Sequence, residues 1–177
     1  MKRGMIPDKI NNYNLYKGLA SGENRLVGVT DEIKLIELEN MTESINLAGW
    51  GGEFDSPAIG QFKSMSLEIP FANTTKEMLE IAADDSGPII ARSAQEFIDP
   101  ETGNKEIVNR TITVRGMTKK ISYGSLKKAG YGKPSVTKEA YYYQDVIDGE
   151  VVTLIDKFKG IAVIGGVDVT KDIQSYI

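Results

Sequence analysis

Apolar and polar positions alternate with a period of two over much of the chain, the signature of strands buried on one side and wet on the other. The clearest stretch is Gly60–Phe71. Met65, Leu67, Ile69 and Phe71 fall on one face, and Ser64, Ser66 and Glu68 on the other. Glu23–Val29 and Ile33–Leu38 also alternate and predict two strands joined at Thr30-Asp31. Pro88–Ile98 and Glu106–Gly116 predict a long hairpin whose tip, Asp99–Asn104, is rich in turn formers. In its second strand Val108, Ile112 and Val114 share a face with Arg110, while Asn109, Thr111 and Thr113 point the other way. Ala140–Ile147 and Glu150–Phe158 predict a hairpin across Asp148-Gly149, a dipeptide suited to a two-residue turn. Ile161–Ile164 reads as one more short strand, and Asp168–Ile177 as ending in a helical turn.

One segment has a helical period instead. Met78, Leu79, Ile81 and Ala82 form an apolar stripe, Thr74 with Glu77 offers a capping box, and Asp84–Pro88 supplies the stop. Glu77, Glu80, Asp84 and Asp85 make the exposed face and end of this helix acidic. Two stretches have no clear period. Met41–Pro57, about 17 residues long, is longer than compact domains keep without a use. It holds Trp50, the only tryptophan, together with Phe54, Gly49, Gly51 and Gly52. Met117–Lys138 is basic and Gly-rich, with Lys119, Lys120, Lys127, Lys128, Lys133 and Lys138, and reads as a long mobile loop. Seven or eight strands and one helix, with non-local pairing, predict a single mainly β domain: a sandwich or barrel with an appended helix.

Composition narrows the chemistry. The 177 residues are 41% hydrophobic, enough for one sizeable core. Histidine and cysteine are absent. That excludes a Ser-His-Asp triad, an imidazole base, thiol nucleophiles, disulfides and His- or Cys-ligated metals. A net charge of −4 argues against a dedicated nucleic-acid surface. No apolar run approaches the ~20 residues that span a bilayer. Met1-Lys2-Arg3 is not followed by the apolar stretch of a signal peptide, so a cytoplasmic protein is expected. The sequons at Asn40, Asn73 and Asn109 then carry no glycan.

Few motifs survive inspection. Gly124–Ser135 imitates a phosphate loop, but Pro134 follows Gly132-Lys133 where Ser or Thr is required, and Lys127 stands where the first Gly belongs. The carboxylate clusters Asp84-Asp85 and Asp145/Asp148 sit at a helix stop and near a turn, where Asp has an ordinary structural job. Tyr141-Tyr142-Tyr143 cannot form one stacking platform on a strand, because Tyr142 points away from its neighbours. No cofactor, metal site or catalytic residue is expected. Trp50 and Phe54 are different in kind: large apolar groups on a Gly-rich element that either tucks Trp50 into the core or orders against another subunit.

In order and spacing the chain resembles the major tail tube protein of contractile-tailed phages and R-type bacteriocins. The resemblance rests on the opening segment Ile6–Gly18, the charged stretch Asp31–Asn40, the Gly-rich Ala48–Gly52 with Asp55–Pro57, the turn Asp148-Gly149 and the terminal Gly166-Val167-Asp168. The basic stretch Met117–Lys138 departs most from the family pattern. The resemblance implies a non-enzymatic structural subunit made in the bacterial cytoplasm and built into a virion or bacteriocin tail. Rings of six subunits would share one continuous β-barrel around a channel and stack into a tube inside the sheath. The implied partners are further copies of the chain, the sheath protein, the tape measure protein, the baseplate hub and the tube terminator, with DNA passing without specific binding. On this reading Ser64, Ser66, Glu68, Ser93, Gln95, Asn109, Thr111 and Thr113 line the channel. Trp50, Phe54, Gly49, Gly51 and Gly52 make ring-to-ring contact, and Glu77, Glu80, Asp84 and Asp85 face the sheath. The alternative is a small-ligand or carbohydrate-binding β-sandwich module, which would need exposed aromatics at one end.

Overall fold

The structure, a computed structural model, describes residues 4–19, 22–30 and 32–176. Eleven strands and two short helices follow in the order β1 (Ile6–Leu19), β2 (Gly22–Arg25), β3 (Asn40–Ile45), β4 (Phe54–Phe62), β5 (Ser66–Pro70), α1 (Lys76–Ala83), β6 (Ile89–Ile98), β7 (Lys105–Ser122), β8 (Ser135–Ile147), β9 (Glu150–Asp156), β10 (Ile161–Ile164), β11 (Val167–Asp168) and α2 (Lys171–Gln174). Nine strands form one antiparallel sheet, eight of them in the order β11-β10-β9-β8-β7-β6-β1-β2 and β5 off this path. β5 pairs with the first residues of β8, on the edge that β9 takes further along. β3 and β4 pair only with each other. The protein is mainly β, as the alternation predicts, but the described strands do not close into a barrel: the sheet ends at β2 and at β11.

The core lies on one face of the sheet. It joins Leu15, Ile89, Ile112, Val114, Val136, Ala140, Tyr143 and Ile155 from the long strands with Met65, Leu67, Ile69 and Phe71. Met78, Ile81 and Ala82 of α1 cover it, together with the partly buried Ile33, Leu35 and Ile36. The Gly60–Phe71 alternation therefore has the expected faces, although the segment is not one strand. β4 ends at Phe62, and the chain breaks pairing before β5 starts at Ser66.

Several expectations need correction. Ile33–Leu38 is irregular; its alternation reflects burial under a segment that crosses the core without joining the sheet. The predicted turn at Asp31 lies outside the described residues, and β2 stops at Arg25. β1, which the alternation did not predict, is a 14-residue strand. The cap of α1 is Thr75, whose Oγ1 accepts from the Met78 N–H at 3.2 Å, so Thr74 and Glu77 form no capping box. Leu79 is exposed; the buried stripe is Met78, Ile81 and Ala82. Met41–Pro57 is largely the β3–β4 hairpin rather than a loop. The expected mobile loop Met117–Lys138 shrinks to residues 123–134, because β7 continues to Ser122 and β8 begins at Ser135 in register with it. The Asp148-Gly149 turn forms as predicted, both residues having positive φ (52° and 79°), as a primed hairpin turn requires.

Candidate assembly interface

Strand register sorts the polar candidates by face. Paired residues on antiparallel neighbours project to the same side. Thr113 pairs with Gln144, Thr111 with Val146 and Met117 with Glu139, all on the face away from the core. Ser66 opposite Glu139 and Glu68 opposite Thr137 continue that face across β5. Asn109 lies on it beside Ala94. Ser64 precedes β5 and donates to the Glu139 carboxylate at 2.7 Å.

Ser93 and Gln95 do not join them. Ser93 pairs with Arg110 and Gln95 with Val108, which places both on the core side. The polarity of Ser93 is local: it sits beside the Arg110–Asp145 ion pair. Arg110 Nη2 donates to Asp145 Oδ2 at 2.6 Å and its Nε donates to Oδ1 at 3.0 Å. The bond to Asp145 also holds the Arg110 guanidinium more strongly protonated than usual. The eight channel candidates thus divide six and two between the faces of one sheet.

The outer polar face is not uniformly small. Lys119 Nζ donates to Glu139 Oε2 at 3.0 Å. Burial pushes the Glu139 carboxyl upward, but bonds from Ser64, Lys119 and Ser66 outweigh it and leave it below the usual range. The Arg115 guanidinium stands 5.8 Å from the Tyr142 ring centroid. Tyr143 is buried, and Tyr141 stacks on Phe158 at 4.6 Å, so the three tyrosines serve three environments.

The helix lies on the opposite face. Two buried lysines hold its C-terminal end to the sheet. Lys138 Nζ donates to the Ile81 carbonyl at 2.6 Å, to Thr118 Oγ1 at 2.8 Å and to Asp85. Lys17 Nζ donates to the Asp84 carbonyl and, at 2.7 Å, to its carboxylate. These cations face the carbonyl-rich end of the helix, where positive charge is favoured. Hydrogen bonds from Lys17 and then Ser86 hold the Asp84 carboxyl far below the usual range. For Asp85, burial acts upward and bonds from Lys138 and Thr118 prevail downward. Asp84 and Asp85 are therefore engaged within the chain, while Glu77 and Glu80 point to solvent. Both lysines sit at apolar positions of alternating strands, next to Leu15 and between Val136 and Ala140. That is the only sign of them in the sequence; their carboxylate partners lie 67 and 53 residues away.

The β3–β4 hairpin stands out from this body. Nearly every residue from Asn40 to Ile59 is exposed, including Met41, Leu47, Trp50, Phe54 and Ile59. Gly49 takes a positive φ of 90° at the tip, which glycine alone adopts at little cost, while Gly51 and Gly52 have open space around them. Beyond it, the outer edge of β1 from Ile6 to Asn12 has no strand neighbour among the described residues, because β2 pairs only with Tyr16–Leu19.

A one-faced sheet with an open edge and a protruding hairpin suits assembly. The family model of phage tail tube protein FII matches residues 7–177. The chain belongs to that family. It is a structural tail tube subunit, a component of a phage tail. A search of curated proteins finds no match. The family match gives no support to the ligand-binding alternative. Among the described residues of this tail tube subunit, no group of three or more acidic residues is placed to hold a metal ion.

Proposed function

We propose that this tail tube subunit closes into rings of six through its open sheet edges and that the rings stack into the inner tube of a contractile phage tail or an R-type bacteriocin. The observation that supports the reading is the outer edge of β1 over Ile6–Asn12, which has no strand neighbour among the described residues. A long open edge invites pairing with another chain, and ring closure removes it by joining β1 of one subunit to the far end of a neighbour's sheet. The opposed faces fit the same arrangement. The outer face with Ser64, Ser66, Glu68, Asn109, Thr111 and Thr113 turns to the channel, where tape measure and DNA pass. Helix α1, on the other side, presents Glu77 and Glu80 to the sheath. Ser93 and Gln95 are left out of the channel wall, and Asp84 and Asp85 act by holding the helix. Assembly begins in the host cytoplasm on the baseplate hub and ends at the tube terminator.

The β3–β4 hairpin is the ring-to-ring arm. Trp50 is 51% exposed. About half of a side chain that can bury up to ~250 Å² thus remains to be covered, worth about 3 kcal/mol at ~25 cal/mol per Å². Trp50→Ala should leave the circular dichroism spectrum and melting temperature unchanged while negative-stain micrographs show rings without long tubes. Full-length tubes from this variant would refute the arm, and a loss of fold would make Trp50 a core residue.

A further inference from the structure

The described segment between β7 and β8, with the strand ends that carry it, is the part of the chain whose role the tube architecture leaves open. From Met117 to Pro134 it contains five lysines and no acidic residue. Lys119 is neutralised by Glu139. Lys120, Lys127, Lys128 and Lys133 pair with no carboxylate among the described residues. The segment also exposes large apolar groups: Leu126 is wholly exposed, and Tyr123 and Tyr131 are about two-thirds exposed (65% and 67%).

It is nevertheless held in place at its base. The Ser125 N–H donates to the Gly132 carbonyl at 2.8 Å, the Gly132 N–H to Asn73 Oδ1 at 3.0 Å and the Lys133 N–H to the Ala72 carbonyl at 3.2 Å. The Phe71 N–H donates to the carbonyl of the buried Pro134 at 2.9 Å. At Gly124, whose φ is +68°, a Cβ would collide with the Gly132 backbone, so the closed base tolerates only glycine there. A fixed base presenting lysines and uncovered apolar side chains has the build of a contact surface, since interface cores combine apolar anchors with a charged rim.

The β3–β4 hairpin has the complementary character. From Asn40 to Phe62 it contains Glu43, Glu53 and Asp55 and no basic residue. None of the three pairs with a cation among the described residues. The hairpin and the basic segment also leave the body at opposite ends of one short strand. The hairpin returns through Lys63 into the start of β5 at Ser66, where Lys157 donates to the Lys63 carbonyl. The basic segment is fastened to Phe71, Ala72 and Asn73, just past the end of β5 at Pro70. Five strand residues separate the two attachments by about 16 Å. Unlike patches at two separate places on a subunit suit a head-to-tail contact between copies, the kind that an open-ended stack requires.

We infer that the basic segment 123–134, with Lys120 beside it, is the receptor on one ring for the acidic β3–β4 hairpin of a subunit in the next ring. This rests on the proposal that the hairpin is the stacking arm, and it names what the arm grips. Trp50 and Phe54 dock against Tyr123, Leu126 and Tyr131, while Glu43, on the same hairpin face as Phe54, and Glu53 meet Lys127, Lys128 and Lys133. The charges make the contact directional, because hairpin-to-hairpin and loop-to-loop encounters set like charges together.

The test is a charge swap read by tube length in negative stain and by light scattering during growth, with circular dichroism confirming the fold of each variant. Lys127→Glu/Lys128→Glu and, separately, Glu43→Lys/Glu53→Lys should each slow tube growth and shorten tubes by on the order of tenfold or more, since modest exposed pairs recur around a ring. Mixing the two variants should restore growth in part, because the acidic hairpin of one meets the basic loop of the other and the reversed hairpin meets the reversed loop. Combining all four substitutions in one chain should restore it. Wild-type growth should also slow as salt rises. If the hairpin variant fails to stack and the loop variant stacks normally, the arm stands and this receptor is overturned. Full-length tubes from both charge variants also overturn it; the arm itself is then judged by Trp50→Ala. Retention of a short DNA duplex by the wild-type subunit, lost in Lys127→Glu/Lys128→Glu with tube growth unaffected, would assign the segment to nucleic acid instead.

Discussion

Replacing Lys138 by methionine should loosen α1 from the sheet without touching any exposed surface. The Lys138 side chain is 4% exposed and its ammonium makes three bonds, to the Ile81 carbonyl, Thr118 Oγ1 and Asp85. Methionine keeps the length and apolar stem of lysine, so the cavity cost is small. What is lost is the partner of a carbonyl and a hydroxyl. Thr118 Oγ1 keeps a bond to the Ala82 carbonyl at 2.8 Å, and Asp85 can turn to water because its side chain is 39% exposed. The Ile81 carbonyl has no such exit: Ile81 itself is buried. One unsatisfied buried acceptor costs about 1–3 kcal/mol, and the weakened helix cap adds up to about 1 kcal/mol. The sum is about 1–4 kcal/mol, or about 2–16 °C in melting temperature for a chain of this size. Differential scanning calorimetry of wild type, Lys138→Met, Asp85→Asn and the double variant would measure it, together with the coupling between the two groups. A Lys138→Met variant melting within 2 °C of wild type would refute the claim that this lysine anchors the helix.

Acid should act through the same anchors. The Asp84 and Asp85 carboxyls lie below their ordinary value in the folded chain, so their contribution is complete above about pH 4 and is lost as pH falls through the folded values. Melting temperature should drop on going from pH 7 to pH 3, and the drop should be shallower in Asp84→Asn/Asp85→Asn; an equally steep fall would place the acid sensitivity elsewhere, with Glu37, Glu96, Glu139 and Asp168 also depressed. Glu77→Lys/Glu80→Lys should leave tubes intact and impair sheath assembly around them, each exposed pair being worth about 0–1 kcal/mol. Normal sheathed particles from this variant would remove α1 as the sheath contact.

The parts of the fold that the sequence disclosed are those where burial is one-sided and pairing is local. β6 with β7 and β8 with β9 are sequential hairpins with marked turns, and their faces emerge from alternation alone. β1 escaped because two bulges, at Pro7/Lys9 and Ile10/Asn12, break its period, and because its one charged core position, Lys17, looks like a surface residue. The hairpin β3–β4 escaped for the opposite reason: exposed on both sides, it has no burial for alternation to record. Polarity groups Ser93 and Gln95 with the polar face, whereas register sets them on the core side, where the Arg110–Asp145 pair makes polar neighbours welcome. The acidic end of α1 read as a single surface, whereas two of its four carboxylates answer to lysines far away in the chain. Short-range patterns reveal where water is excluded, and long-range charge pairing is set only once the chain has closed.

β7 is 18 residues long and is flanked by β6 along its first half and by β8 along most of its length. At ~3.3 Å per residue it is a strut of about 60 Å. Its inter-strand hydrogen bonds run perpendicular to its own length. A load along β7 therefore strains its whole ladder in shear at once, whereas peeling would break bonds one after another. In the proposed tube, a wall with such members along its axis would resist buckling under load, and its weakest mechanical joints would lie between subunits rather than inside them.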